Sequence, residues 1–202
     1  MFNDPVLQKL ISSLTLPENI DVIKKSRYFF LHTQREPSCV IFHDGIVALL
    51  RQKDSLLLSN ICAPMIIGLS LLYDESLYPS FPLCFRAVTD IRCEYVPLSV
   101  VREVAETQSL WKYIALHQMK VTSLMTDYLT NMTGMSGTDI IEYCLERLMQ
   151  EPEAIRSRRT ASDYITEKTT LSRSTVMKAL AALKKDGKIE TYKGLLISKH
   201  PS

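Results

Sequence analysis

The sequence predicts an α+β protein with an antiparallel β-roll, one long central helix and a winged helix-turn-helix at the C-terminal end. Three stretches carry that prediction. Across residues 27–97, short β-prone runs follow each other closely, the pattern of a small antiparallel barrel or jelly roll. Across residues 109–133, apolar residues recur at steps of about three or four, the longest helical pattern in the chain. The third stretch, LSRSTVMKALAALKKDGKI at residues 171–189, reads as an amphipathic helix with basic and hydroxyl side chains near its start. It is either a helix that enters the DNA major groove end-first or an ordinary amphipathic helix with a solvated basic face. The expected divisions are 1–108 for the β-roll, 109–134 for a dimerisation helix and hinge, and 135–202 for the winged helix.

Residues 1–25 read as a short helical lead-in, with Val6, Leu7, Leu10, Ile11 and Leu14 on one stripe and Pro17 ending it. Tyr28, Phe29, Phe30 and Leu31 form the first β-prone run. Cys39, Val40, Ile41 and Phe42 form the second, and Asp44-Gly45 after them is a strong signal for a hairpin turn into the run at 46–50. Further runs at 56–58, 65–72, 83–88 and 91–96 complete the β texture, and residues 99–107 read as a helix.

In the long helix, Leu110, Ile114, Met119 or Val121, Leu124, Met125, Tyr128, Leu129 and Met132 fit a coiled-coil-like seam between two copies. The alternative is a helix packed wholly on its own barrel. Residues 134–137, opened and closed by glycine, are the expected hinge. Residues 139–150 follow as the first helix of the C-terminal domain, closed by Glu151-Pro152.

The end of the chain carries the function. Ala161–Lys168 reads as a short helix and Thr169-Thr170 as a tight turn. In the next helix, Val176, Leu180 and Leu183 share a face, Ser172 stands at the N-cap position and Gly187 just past the end. Two short strands around Tyr192, Lys193 and Gly194 make the wing. Arg173, Ser174 and Lys178 lie off the apolar stripe. Arginine can fork onto guanine O6 and N7, and lysine and hydroxyls can hold base edges or phosphates. Ser172, Arg173, Ser174, Thr175, Lys178, Lys184 and Lys193 are therefore the candidate DNA contacts, with Lys185, Arg156, Arg158 and Arg159 as further backbone contacts.

Charge supports that reading. The 202-residue chain has a net charge of only +2, but residues 156–199 hold eleven basic side chains against four acidic ones, a local +7 that leaves about −5 for the rest. A basic end on a near-neutral protein suits nucleic acid. The start, MFNDPVLQKL, does not resemble a signal peptide, and no window reaches the ~18 apolar residues of a membrane span. A cytoplasmic protein is expected.

Five scattered cysteines, with no C-x-x-C pair, argue against a zinc or disulfide framework. Cys39 and Cys93 are candidate redox sensors, because thiol reactivity depends on surroundings that sequence does not reveal. His32, His43, His117 and His200 show no metal-binding grouping, and no nucleophile–base constellation points to an enzyme.

A β-roll, a long helix and a C-terminal winged helix, in this order and at this length, resemble the cyclic-AMP-receptor and fumarate-nitrate-regulator superfamily. The likeness is sharpest at SRSTVMKALAALKKDGKI, similar to the family's SR-x-TV-x-x-x-L-x-x-L-x-x-x-x-x-I. It implies that Arg173, Ser174 and Lys178 occupy the family's base- and phosphate-contacting positions. The family usually has an acid where Ser174 stands and a glycine where Thr170 stands. LLLSNICAPMIIGLSLLY is similar to its phosphate-cassette region, and FRAVTDIRCEYVPLSVVREV to the strands and helix that follow.

The cyclic-nucleotide chemistry is missing. The cassette glycine, Gly68, is followed by Leu69 rather than glutamate, and Phe81 and Pro82 stand where arginine and serine would meet the phosphate. A buried phosphate without those donors lacks its charge-assisted bonds. No cysteine precedes Cys39, so the iron–sulfur cluster of other members has no ligands there. The expectation is a homodimeric regulator of double-stranded DNA, with no cofactor, no metal and no bound cyclic nucleotide. Within the superfamily, the likeness is to a divergent regulator affecting oxidative-stress tolerance. A thiol-switched repressor and a protein-interaction antagonist that keeps the winged helix as scaffold remain alternatives.

Overall fold

The computed structural model describes residues 4–31, 35–80, 82–132 and 134–200. The chain divides into two compact units, Met1–Met125 and Thr126–Ser202.

The first unit opens with helix α1 (Pro5–Leu14). Asp4 caps it by accepting from the backbone amides of Val6 and Leu7, and Pro5 occupies the first turn, where no amide is needed. Leu7, Leu10 and Leu14 are buried in the unit's core. The Asp4 carboxylate also meets Lys120 Nζ at 2.6 Å. Helix does not fill the expected lead-in: past Pro17, strand β1 (Asp21–Ile23) pairs antiparallel with residues 91–93. That pairing joins segments some seventy residues apart, and no local signal announces it.

Strands β2 (Tyr28–Phe30), β3 (Ser38–Asp44), β4 (Ile46–Arg51), β5 (Leu57–Cys62), β6 (Met65–Ile67), β7 (Leu83–Ala87) and β8 (Ile91–Pro97) complete the roll. They form two four-stranded antiparallel sheets, ordered β1-β8-β3-β6 and β2-β7-β4-β5. Phe42 from the first sheet meets Phe29 and Phe85 from the second at centroid distances of 6.0 and 5.7 Å, edge to face. Phe29 and Phe85 stack at 5.2 Å. These rings occupy the space between the sheets, each burying a large apolar surface.

Two strand expectations are corrected here. Asp44-Gly45 is not a hairpin turn between paired strands. β3 belongs to one sheet and β4 to the other, so the turn is a corner between sheets. Gly45 is required there, because φ is +98° and a Cβ would stand 2.5 Å from the carbonyl of Asp90. The run at 65–72 is not one strand either. It ends at Gly68, and Leu69–Leu72 forms a 3-10 turn that buries Leu69 and Leu71.

Helix α2 (Leu98–Thr107) packs Leu98, Val101 and Ala105 into the roll core. Helix α3 (Trp111–Met132) follows. Ile114 and His117 are buried at its N-terminal end, whereas Met119, Leu124, Met125 and Leu129 are exposed. The apolar stripe is thus covered by the roll at one end and open at the other. The alternative of a helix packed wholly on its own barrel does not describe it.

In the second unit, α4 (Gly137–Gln150) begins with a capping box between Ser136 and Asp139. Helices α5 (Glu153–Arg156), α6 (Ala161–Lys168) and α7 (Arg173–Lys185) follow, then strands β9 (Ile189–Tyr192) and β10 (Leu195–Lys199). Ile141, Cys144, Leu145 and Leu148 of α4 are buried, as are Tyr164 and Ile165 of α6 and Val176 and Leu183 of α7. The wing turn carries positive φ at both central residues, Lys193 (50°) and Gly194 (83°), the turn type whose twist suits a two-residue hairpin.

Candidate nucleic-acid interface

Helices α6 and α7 and the wing form the candidate interface. Helix α6 starts at Thr160, whose Oγ1 accepts from the Asp163 amide at 3.1 Å and donates to Asp163 Oδ2 at 2.7 Å. The turn after α6 dispenses with the glycine common at Thr170, because Thr169 is extended (φ −133°) and neither threonine has positive φ. The Thr169 hydroxyl donates back to the carbonyl of Ile165 at 2.8 Å and accepts from the Leu171 amide at 3.3 Å. It thereby satisfies backbone groups freed at the helix end.

Helix α7 is capped by Ser172, whose Oγ accepts from the Thr175 amide at 3.2 Å. Ser172 Oγ also lies 2.9 Å from Ser174 Oγ and 2.8 Å from Thr175 Oγ1. The first turn therefore presents a cluster of hydroxyls at the positive end of the helix dipole, beside the Arg173 guanidinium. Val176 and Leu183 anchor the opposite face.

Among the residues singled out from sequence, Ser172, Arg173, Ser174 and Thr175 share this exposed first turn, and Lys178 follows one turn on. Lys184 does not join them. It sits in the last turn with Lys185, about 16 Å along the helix axis from Arg173 at 1.5 Å per residue. There the two lysines complement the negative helix end. Lys193 stands at the wing tip, its Nζ 5.3 Å from the Tyr192 ring. Arg158 is exposed and Arg156 half-buried, while Arg159 pairs with Glu167.

The local excess of positive charge is smaller at the surface than the residue count suggests. Lys168 is 6% exposed, with its ammonium over the Tyr164 ring at 5.3 Å, and burial pushes its pKa down. Lys188 and Lys199 reach back to Glu142 and Glu146 of α4, at 3.7 and 2.7 Å.

One residue at this site escaped the sequence reading. Asp163 Oδ1 accepts from Arg173 Nη1 at 2.9 Å. Its carboxyl is held below the usual range by the Thr160 hydroxyl first and by Arg173 next. The spacing Thr160-x-x-Asp163 was a visible capping signal, but its reach to Arg173 depends on how α6 and α7 pack.

In the roll, the candidate redox thiols are disfavoured. Cys39 and Cys93 are buried, and burial pushes both up to about 12, so neither forms much thiolate at neutral pH. His43 is a satisfied strand histidine. Its Nε2 lies 2.8 Å from Glu94 Oε1, and Glu94 Oε2 accepts from the Leu16 amide at 2.9 Å. His32 and Phe81 lie outside the described residues. No group of three metal-ligating side chains occurs among the described residues, and none of the described helices is long and apolar enough to cross a membrane.

Where the family's cassette glycine would face a cyclic phosphate, Gly68 has φ +99° and lies against Leu31 and Cys39. A Cβ there would be 3.0 Å from Leu31 Cδ2. Leu31 is fully buried, and its carbonyl accepts from the Tyr78 hydroxyl at 2.6 Å. The next residue, Leu69, is 3% exposed and belongs to the core.

Comparison with known proteins agrees with this architecture. The chain superimposes on the c-di-GMP-responsive global regulator CLP of Xanthomonas campestris with a TM-score of 0.73 and 16% identity, covering 98% of this chain and 100% of that one. A CooA variant from Carboxydothermus hydrogenoformans gives 0.67 at 13% identity, covering 98% and 87%. A CRP/FNR-family protein of Eubacterium rectale gives 0.60 at 13%, covering 98% and 91%. Residues 138–200 match the winged helix-turn-helix DNA-binding family. The fold is that of the CRP/FNR regulators.

Sequence relatives are more specific. The inhibitor of hydrogen peroxide resistance from Salmonella typhimurium is 30% identical over 159 residues, 77% of this chain and 73% of that protein. Its namesake from Escherichia coli K12 is 27% identical over 180 residues, 87% and 82%. The chain belongs to the family of the inhibitor of hydrogen peroxide resistance.

Proposed function

We propose that this protein is a sequence-specific, double-stranded DNA-binding transcription regulator. It works in the cytoplasm as a homodimer and without cyclic nucleotide. The observation that carries the reading is Arg173. It stands in the first turn of a capped, solvent-facing helix, with 67% of its side chain exposed and hydroxyls on either side. That is the equipment for a helix entering the major groove by its N-terminal end. Pairing of two copies through the exposed part of α3 sets two such helices against successive grooves, ~34 Å apart. Lys178, Lys193, Arg156 and Arg158 supply salt-dependent contacts to phosphate.

The independence from cyclic nucleotide rests on what fills the roll. A buried leucine follows Gly68 where a ribose-binding carboxylate is needed, and phenylalanine rings occupy the interior. A micromolar affinity for cyclic AMP by calorimetry would refute that part. The name of the sequence relatives, inhibitor of hydrogen peroxide resistance, supports an output in tolerance of hydrogen peroxide.

The test is selection of duplexes from a random DNA library, followed by gel-shift titration of the recovered site. Arg173→Ala is expected to lower specific affinity by ~1–3 kcal/mol while leaving non-specific binding nearly intact. Equal binding of the recovered site by variant and wild type would remove Arg173 from the reading role. Failure of the wild type to enrich any sequence would favour the interaction-scaffold alternative.

A further inference from the structure

We propose that Asp163, braced by Thr160, orients the Arg173 guanidinium and so sets which base Arg173 accepts; this rests on the DNA-reading role given above. Asp163 lies on α6, ten positions before Arg173, and its two oxygens serve different neighbours. Oδ2 accepts from the Thr160 hydroxyl at 2.7 Å, and Oδ1 accepts from Arg173 Nη1 at 2.9 Å. Thr160 is itself held in place. The following amide, Ala161 N, donates to the carbonyl of Gly194 at the wing turn at 2.9 Å, and Gly194 packs so closely on Thr160 that a Cβ would stand 3.0 Å from Thr160 Cγ2. Wing turn, Thr160, Asp163 and Arg173 form one connected chain of contacts.

Helix α7 has no acid in its first turn, so the carboxylate beside Arg173 comes from the preceding helix. The side chains are 67% and 45% exposed, and an exposed pair of this kind adds little to folding stability. Its consequence is geometric. A free arginine samples many rotamers, whereas a bidentate contact to guanine needs two parallel N–H bonds from one fixed plane. With Nη1 held by Asp163, the guanidinium samples fewer rotamers before DNA arrives, and the ion pair engages Nη1 rather than Nε or Nη2. The Asp163 charge also repels phosphate, which disfavours non-specific binding. Asp163 is a positioning residue: it acts on the base only through Arg173.

The test uses the full-length protein, the duplex recovered by selection from a random library, and variants of that duplex at each position. Asp163→Asn is expected to reduce the ratio of specific to non-specific affinity about ten-fold, the greater part of one bidentate base contact. The loss should fall on the base pair where Arg173→Ala also loses discrimination, and non-specific binding should hold or strengthen. In an Arg173→Ala background, Asp163→Asn should leave the base preference unchanged. Thermal melting separates this from misfolding, since a misfolded winged helix loses binding to every duplex alike. An unchanged or raised ratio for Asp163→Asn, with wild type binding its site, would overturn the proposal and mark the ion pair as a brake on binding. If the wild type selects no sequence at all, the DNA-reading role itself fails and this proposal with it.

Discussion

The exposed part of α3 supports a quantitative test of homodimer formation. Met125 and Leu129 lie one turn apart on this helix, 55% and 59% exposed in the single chain. Fully burying a leucine or methionine side chain contributes about 1.5–3 kcal/mol, so each has about 0.8–1.8 kcal/mol still to gain from a partner. Two such side chains from each of two copies set a ceiling of about 3–7 kcal/mol on their share of an interface. Replacing both with glutamine should raise the dimer dissociation constant by up to about a hundred-fold at the low end of that ceiling. The fold of one chain should be little affected, because these side chains cover no core. Sedimentation equilibrium over a concentration series reads the constant directly, and a circular-dichroism melt checks the fold. Affinity for a two-half-site duplex should fall with dimerisation. The reasoning is refuted if the wild-type chain stays monomeric at the highest soluble concentration, or if the double variant dissociates at the same concentration as wild type.

Further outcomes are expected elsewhere in the molecule. Gly194→Ala forces a left-handed backbone (φ +83°) on a residue whose Cβ would press on Thr160. It should cost about 1–2 kcal/mol from the backbone alone, and gel shifts should show weaker binding alongside a lower melting temperature. His117 is 3% exposed, and burial pushes its pKa below the ordinary 6.5, against the opposing pull of the Ile66 carbonyl and Asp4. The unfolded chain therefore takes up this proton at a higher pH than the folded one. The corresponding stability is complete above pH 6.5 and declines as pH falls from there toward the folded-state pKa. Urea midpoints measured against pH should fall less steeply below 6.5 for His117→Gln than for wild type. Cys39 and Cys93, with pKa values raised to about 12, should resist iodoacetamide in the native protein and react once it is unfolded. Mass spectrometry that finds either one oxidised by mild peroxide in the folded state would revive the thiol switch.

Much of the candidate site was legible because its signals are local. Ser172 before an apolar periodic run, Gly187 after it, and Lys193-Gly194 between two short β runs each act within four or five residues on the backbone groups they satisfy. The α3 stripe was equally plain from periodicity. Chain order does not reveal which sheet a strand joins: β3 pairs with β8 across some fifty residues, and the turn beside it crosses to the other sheet. Pairing of that kind depends on which apolar faces meet, not on any neighbour in the chain.

The helices and caps of the C-terminal unit and its wing turn thus follow from the amino-acid order, since they reflect steric and hydrogen-bonding preferences over a few bonds, whereas the strand at 21–23 and the 3-10 turn at 69–72 do not. Packing adds facts that no short window contains. The Cys39 and Cys93 thiols are withdrawn from water, Lys168 is buried rather than offered to DNA, and the Arg173 guanidinium lies against Asp163. Desolvation and ion pairing act between groups brought together from distant parts of the chain. Their sign depends on that neighbourhood, and the closed fold creates the neighbourhood.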